Sequence, residues 1–337
     1  MTTHSDGFET RLNAAINLKT KPVGSLGKIE ALAAQIARIQ TSLTPRVETC
    51  DLYIFAADHG IAAAGVSAFP QAVTRQMVLN FLGGGAAANV FARSVGANVH
   101  VVDAGIIGPS VEDERLIDRR QGSGTANSIE APAMTAAQLE TALEAGRDLA
   151  KASEADVFCC GEMGIGNTSA ASLVSAKLLD CSATALTGRG TGLDDVGLKR
   201  KAALLEQAAA RTPSTLPVKD ALNEYGGFEI AMMAGAMIGA ATSGKIVMVD
   251  GYIATAAALS ATHLSPECRA AMVFAHQSAE AGHIRLLDAL DADPLLQLDL
   301  RLGEGTGGLL AFPLVKAAAA MLREMASFDD AGVSGPA

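Results

Sequence analysis

Six short apolar runs, each leading into a polar or glycine-rich turn and most then into a helical stretch, constrain this chain more than any other feature. They fall at residues 51–57, 97–102, 156–160, 183–186, 245–249 and 271–275. Short apolar runs that alternate with helical patterns predict parallel strands joined by helical crossovers, hence an α/β fold with a buried parallel sheet. The residues just after the runs are chemically pointed: Asp58-His59-Gly60, Asp103-Ala104-Gly105, Gly161-Glu162, Thr187-Gly188-Arg189-Gly190, Asp250-Gly251 and His276. Ligands of open parallel sheets bind beyond the carboxyl ends of the strands. One such turn is ordinarily structural, but six together predict a shared binding crevice.

The turn after the third run is the most informative. Residues 155–160 are strand-like, 161–166 hold closely spaced glycines around Glu162, and Asn167-Thr168-Ser169 offer N-cap side chains to a helix running to about 179. Strand, glycine turn and helix N-terminus together favour an anion, because small residues admit close backbone approach and the helix dipole attracts negative charge. Neither the Lys-Ser/Thr ending of a P-loop nor Gly-x-Gly-x-x-Gly spacing is present. A plain structural turn would not need a charged Glu162 at its strand tip.

Other features bound the answer. The 337 residues are 49% hydrophobic, rich in Ala and Gly, and only 4% aromatic, as suits strands covered by small-residue helices. A net charge of −10 without a basic cluster argues against a nucleic-acid partner. Residues 1–13 lack the order of a signal peptide, and the apolar stretch 230–241 is too short to span a bilayer. Cys50, Cys159, Cys160, Cys181 and Cys268 have neither disulfide nor zinc spacing and predict buried thiols in a reduced cytoplasm. Along the chain, residues 8–47 predict helices interrupted at 21–27, and Pro70 precedes a helix ending near Gly83. The loop 108–133 is expected on the surface, 193–210 is an amphipathic helix, and the loop 298–308 introduces a closing Ala-rich helix before a polar tail expected to fray from 326.

Several candidates keep two readings. Glu304, between glycines in Gly-Glu-Gly-Thr-Gly, suits either a general base of raised pKa or a carboxylate complementing a helix N-terminus. Lys201 and Arg189 suit a phosphate, although a solvated helix face and a loop salt bridge are the commoner roles. His276, Glu280 and His283 have helical metal-ligand spacing, but Gly282 argues for a strand-to-helix junction instead. His59 suits catalysis or a hydrogen-bonded turn. No nucleophile elbow or reactive-cysteine setting is present.

The motifs together resemble the nicotinate-nucleotide–dimethylbenzimidazole phosphoribosyltransferase family. The blocks are Lys-Pro-Val-Gly-Ser-Leu-Gly (21–27), Ala-Ala-Asp-His-Gly (56–60), Val-Thr-Arg-Gln-Met (73–77), Gly-Glu-Met-Gly-Ile-Gly-Asn-Thr (161–168) and Gly-Arg-Gly-Thr-Gly (188–192). Gly-Gly-Phe-Glu-Ile-Ala (226–231), His-Gln-Ser-Ala-Glu-Ala-Gly-His (276–283) and Leu-Gly-Glu-Gly-Thr-Gly (302–307) complete the series. Ser169 and Gly308 are small departures beside these motifs.

The resemblance implies transfer of phosphoribosyl from nicotinate mononucleotide to 5,6-dimethylbenzimidazole, with no metal or other cofactor. It implies that Glu162, Met163, Gly164, Ile165, Gly166, Asn167, Thr168 and Lys201 hold the nucleotide. Ser67, Ala68, Gln76, Met77 and Leu302 would line the base pocket, and Glu304 would be the general base. It further implies a Rossmann-like three-layer large domain (48–285), a small helical domain from both chain ends (1–47 and 286–325), a flexible tail (326–337) and a homodimer. The rivals are a family member acting on another base, such as adenine, another benzimidazole or a phenol, and a non-catalytic nucleotide sensor, which would have no need of Glu304.

Overall fold

The computed structural model describes residues 3–190 and 192–334. Its centre is one sheet of six strands, all parallel: β1 (Cys50–Ala57), β2 (Asn98–Gly105), β3 (Leu116–Asp118), β4 (Val157–Met163), β5 (Ile246–Val249) and β6 (Met272–Phe274). The spatial order is β3-β2-β1-β4-β5-β6, so the direction of winding reverses between β1 and β4. That reversal opens a crevice at the carboxyl ends of the two central strands.

Alternate residues of each strand feed two cores. Tyr53, Phe55, Phe158, Cys160, Val247 and Val249 join the core on one face, while Leu52, Ile54, Val157, Cys159, Ile246 and Met248 join that on the other. The chain places helices α1 (Thr3–Asn17), α2 (Lys28–Gln40), α3 (Ala72–Gly83), α4 (Ala87–Val95), α5 (Ala136–Ala152), α6 (Asn167–Leu178), α7 (Asp195–Ala209), α8 (Val218–Tyr225), α9 (Phe228–Thr242), α10 (Tyr252–Leu264), α11 (His283–Ala289), α12 (Thr306–Glu324) and α13 (Phe328–Ala331) around it. α5, α6, α8, α9 and α10 cover the first face, and α2, α4 and α12 the second. α9 is apolar on all sides because it is buried on all sides. α12 is long and apolar enough to cross a bilayer, but more than half of its apolar window is packed inside the fold. α1 and α2 pack together, and α2 lies against α12, so both ends of the chain meet there.

Five of the six anticipated strands form at or near their predicted positions. The run 183–186 is instead a 3₁₀ turn, with the Ser182 hydroxyl accepting the Ala185 N–H at 3.3 Å. An apolar run of four residues carries too little periodicity to separate strand from helix, and β5 already occupies the position beside β4. The sixth strand is β3, a three-residue edge strand inside the polar loop 108–133. Edge strands are commonly short and charged, which hides them from hydropathy. The same loop does not remain peripheral: the Thr125 N–H donates to the Asp58 carbonyl at 3.0 Å. At the chain end, α13 is capped by Ser327 and the Phe328 N–H donates to Leu18 O at 3.0 Å. Residues 335–337 of the expected tail, Met1 and Thr2 of the N-terminal segment, and Thr191 of the 188–192 block lie outside the described residues.

Candidate active site

Asp58, Glu162, Asp250 and His276 all stand at the carboxyl edge of the sheet, as the strand-end turns predict: Asp58 follows β1, Glu162 is the penultimate residue of β4, Asp250 follows β5 and His276 lies two residues beyond β6. β1 and β4 run in register there, with Phe55 opposite Glu162. Beyond Glu162 the chain turns through Gly166, whose φ of 101° favours glycine, into α6. Asn167 does not cap α6 as the sequence suggests. Its side-chain amide turns back to donate to Glu162 Oε2, and the left-handed Gly166 occupies the cap position. The Ile165 N–H donates to Thr74 Oγ1 at 3.1 Å, tying the turn to α3. Beneath it, His59 Nε2 lies 2.7 Å from Glu229 Oε1, both fully buried, so His59 is held in a structural pair.

A cavity of about 330 Å³ opens over these turns. Glu162, Met163, Gly164, Ile165, Asn167 and Thr168 form one wall, and Asp250 with residues 251–254 of the β5–α10 junction forms another. His276, Ser278 and Glu280 come from the segment after β6, while Gly190, Arg301, Leu302, Gly303 and Phe69 complete the rim. Phe69 and Leu302 are each about half exposed, at 49% and 56%.

The charges are strongly conditioned by burial. Glu162 is pushed up to about 8 by burial, reinforced by the negative charges of Asp250, Glu229 and Glu304, so it is protonated at neutral pH. A neutral Glu162 can donate a hydrogen bond and does not repel an anionic ligand. Burial also raises Glu280, against the pull of Lys201. Lys201 is fully buried behind the cavity wall, and its Nζ donates to Thr168 Oγ1 at 2.9 Å and to Gly188 O at 3.2 Å. Burial lowers its pKa to about 8, with Glu280 opposing, which leaves it mostly charged at pH 7.

Glu304 sits in a run of three left-handed residues: Gly303 at φ 83°, Glu304 at 61° and Gly305 at 79°. Its carboxylate Oε2 accepts the Ala88 N–H in the first turn of α4 at 3.4 Å. Burial raises its pKa, the Ala88 amide opposes, and the Asp250 charge raises it further. A buried carboxyl of raised pKa is suited to taking a proton near neutral pH.

Of the residues the sequence nominates, the 161–168 turn and Leu302 meet at the cavity, apart from Gly161 and Gly166. Lys201 reaches the same turn through Thr168, and Glu304 adjoins the wall residue Gly303. Ser67, Ala68, Gln76 and Met77 are not on the cavity lining. Gln76 and Ala68 are exposed, and Met77 packs partly against the core under α3. Sequence reasoning assigned no site role to the first turn of α10, to Ser278 or to Arg301. The signal for the α10 turn was Asp250-Gly251 directly after a Val-rich strand, the same logic that singled out Glu162.

Within the trio His276, Glu280 and His283, the last is held by the protein's own groups. His283 Nδ1 accepts the Ser278 N–H at 2.7 Å and its Nε2 lies 2.9 Å from Thr255 Oγ1, so both ring nitrogens are engaged. No cluster suited to a metal occurs among the described residues.

Known proteins with this sequence pattern and shape are informative. A phosphoribosyltransferase family model matches residues 1–333. The nicotinate-nucleotide–dimethylbenzimidazole phosphoribosyltransferase of Ralstonia nicotianae is 52% identical over 329 residues, covering 96% of this chain and 93% of that protein. Its counterpart from Aromatoleum aromaticum is 51% identical over 330 residues, covering 97% and 96%. The crystal structure of CobT from Thermus thermophilus superposes with a TM-score of 0.95 at 42% identity, covering 98% of this chain and all of that one.

Proposed function

Because the chain belongs to the nicotinate-nucleotide–dimethylbenzimidazole phosphoribosyltransferase family, we infer how its own residues divide the work of that reaction. The protein transfers phosphoribosyl from nicotinate mononucleotide to 5,6-dimethylbenzimidazole, giving α-ribazole 5′-phosphate and nicotinate. The observation that carries the division is the cavity at the β1/β4 reversal, which joins the 161–168 turn to the loop of Glu304.

In this reading the nucleotide occupies the cavity. Its 5′-phosphate meets the turn 163–168 and the α6 N-terminus, backed by the Lys201 ammonium behind Thr168. Neutral Glu162 donates to the nucleotide without repelling its charge. The incoming base lies between the rim residue Leu302 and α3, with Ser67, Ala68, Gln76 and Met77 as its outer wall; Thr74 already joins α3 to the turn. One benzimidazole nitrogen attacks the anomeric carbon and forms the new C–N bond. The old C–N bond breaks with its electron pair passing to the pyridinium nitrogen, which leaves as neutral-ring nicotinate. The proton on the other benzimidazole nitrogen goes to Glu304.

The same reading treats α1, α2 and α12 as a small helical domain beside a Rossmann-like three-layer domain, supported by the packing of α2 on α12. It also takes the protein to be a cytoplasmic homodimer. Free thiols at Cys50, Cys159, Cys160, Cys181 and Cys268 fit a reducing compartment, and sedimentation tests the dimer.

Purified protein given nicotinate mononucleotide and an equimolar mixture of 5,6-dimethylbenzimidazole, adenine and a phenol tests the assignment. Dimethylbenzimidazole product with stoichiometric nicotinate is expected. Preferential transfer to adenine or phenol would replace the acceptor, and nucleotide binding without turnover would make the protein a sensor.

A further inference from the structure

The segment that carries Glu304 is costly to hold. Glu304 is a non-glycine residue at a φ of 61°, between two glycines that are themselves left-handed. L-residues avoid this region, and they persist there only when the surroundings over-determine them. One side chain from elsewhere in the chain fastens the backbone directly after Glu304 at two amides. The Asp250 carboxylate, fully buried after β5, accepts the Gly305 N–H through Oδ2 at 3.2 Å and the Gly308 N–H through Oδ1 at 3.0 Å. Both amides belong to the start of α12, where a carboxylate also complements the helix dipole. His276 backs the arrangement, its Nε2 lying 3.7 Å from Asp250 Oδ1. The ring also fills the space that a side chain at position 307 would need: a Cβ there would stand 1.9 Å from His276 Cδ2.

We propose that Asp250 is the positioning residue of the general base: by gripping the amides of Gly305 and Gly308 it fixes the left-handed backbone at Glu304. This rests on the reading of Glu304 as base. Asp250 also raises the Glu304 pKa, behind burial itself. The groups around Glu304 are Asp250 after β5, Glu162 on β4, His276 beyond Asp250, and from α4 the Ala88 amide. Arg301, on Glu304's own loop, is turned to Gly190 O at 3.3 Å.

Asp250→Asn keeps the shape but removes the charge and one of the two acceptors. A reacting group displaced by about 1 Å typically costs about 10²-fold in rate. We therefore expect kcat to fall roughly 10–100-fold, with the acidic limb of the kcat–pH profile displaced to lower pH. The displacement follows because losing a negative neighbour favours the charged form of Glu304. In the double variant Asp250→Asn/Glu304→Gln, kcat should match Glu304→Gln alone, since residues acting through one another are not additive. Asp250→Glu serves if the Asn variant does not fold. It keeps the charge but misplaces the grip, so kcat should fall while the acidic limb stays put. An unshifted limb with wild-type kcat in Asp250→Asn, wild-type kcat in Asp250→Glu, or independent additive losses in the double variant would each overturn the proposal. Glu304→Gln with full turnover would instead remove the base reading itself, so the two failures are distinct.

Discussion

Gly161, in the middle of β4, lies directly against the backbone of Glu304: a Cβ on Gly161 would stand 2.6 Å from the Glu304 carbonyl carbon and 2.7 Å from its oxygen. Residues far apart in sequence thus share one close contact, and the contact is backbone on both sides. Neither partner can swing away as a flexible side chain would. Gly161→Ala is therefore expected to push the Glu304 loop outward. The variant should lose about 1–3 kcal/mol of stability, typical of overpacking. It should also lose at least about tenfold in kcat through misplacement of the base. Urea unfolding and steady-state kinetics check both; wild-type kcat in a folded Gly161→Ala protein would show that the contact does not position Glu304.

Lys201 should serve the nucleotide and not the base. Its ammonium reaches the 161–168 turn through Thr168 and is otherwise buried. Lys201→Ala is expected to weaken nicotinate mononucleotide binding by ~1.5–3 kcal/mol, the worth of a charged hydrogen bond. Dimethylbenzimidazole binding should barely change. Because the Lys201 pKa is brought down to about 8, nucleotide affinity of the wild type should also decline as pH rises through that value. Calorimetric titration of each ligand decides the matter, since equal weakening of both would mark Lys201 as structural.

Glu162 makes the ligand-free protein sensitive to pH. Its carboxyl is raised from 4.5 to about 8 on folding, so between those values the folded state holds a proton that the unfolded chain has released. Stability from this group is complete below about 4.5 and is lost as pH climbs through about 8. Glu162→Gln cannot titrate and should flatten that decline. Urea midpoints measured at intervals from pH 5 to about 9 test this, and an unchanged slope in the Gln variant would assign the decline to other groups.

Much of this architecture was legible because parallel strands are buried on both faces and read as continuous apolar runs. β1, β4 and β5 were plain for that reason, and the polar residue closing each run pointed to the cavity. β3 was not legible, since an edge strand of three residues flanked by charge has no hydropathic signature. The 183–186 run misled because a capped 3₁₀ turn and a short buried strand look alike in four residues. At the site, Glu162 and Glu304 stood out as carboxylates among glycines. Asp250 was visible only as a strand-end residue; its grip on Gly305 and Gly308 is a long-range relationship that no local pattern carries. The turn of Asn167 away from capping α6 was hidden likewise, because its partner Glu162 is fixed by the sheet.

Turnover should not depend on a divalent metal. Both nitrogens of His283 are engaged by Thr255 and Ser278, which removes it from any shared ligand set with His276 and Glu280. Exhaustive dialysis against a strong chelator is expected to leave kcat intact. Loss of activity that zinc restores would contradict this.

The central claim is that Glu304 takes the proton from the incoming base, and Glu304→Gln tests it most directly. The Gln side chain keeps the shape and can still accept the Ala88 N–H, so the left-handed loop is retained. It cannot accept a proton. Single-turnover measurement with bound nicotinate mononucleotide should show a rate about 10²–10⁴-fold lower, the usual worth of a positioned general base, with nucleotide affinity unchanged. A Gln variant that turns over at the wild-type rate at neutral pH would contradict the account.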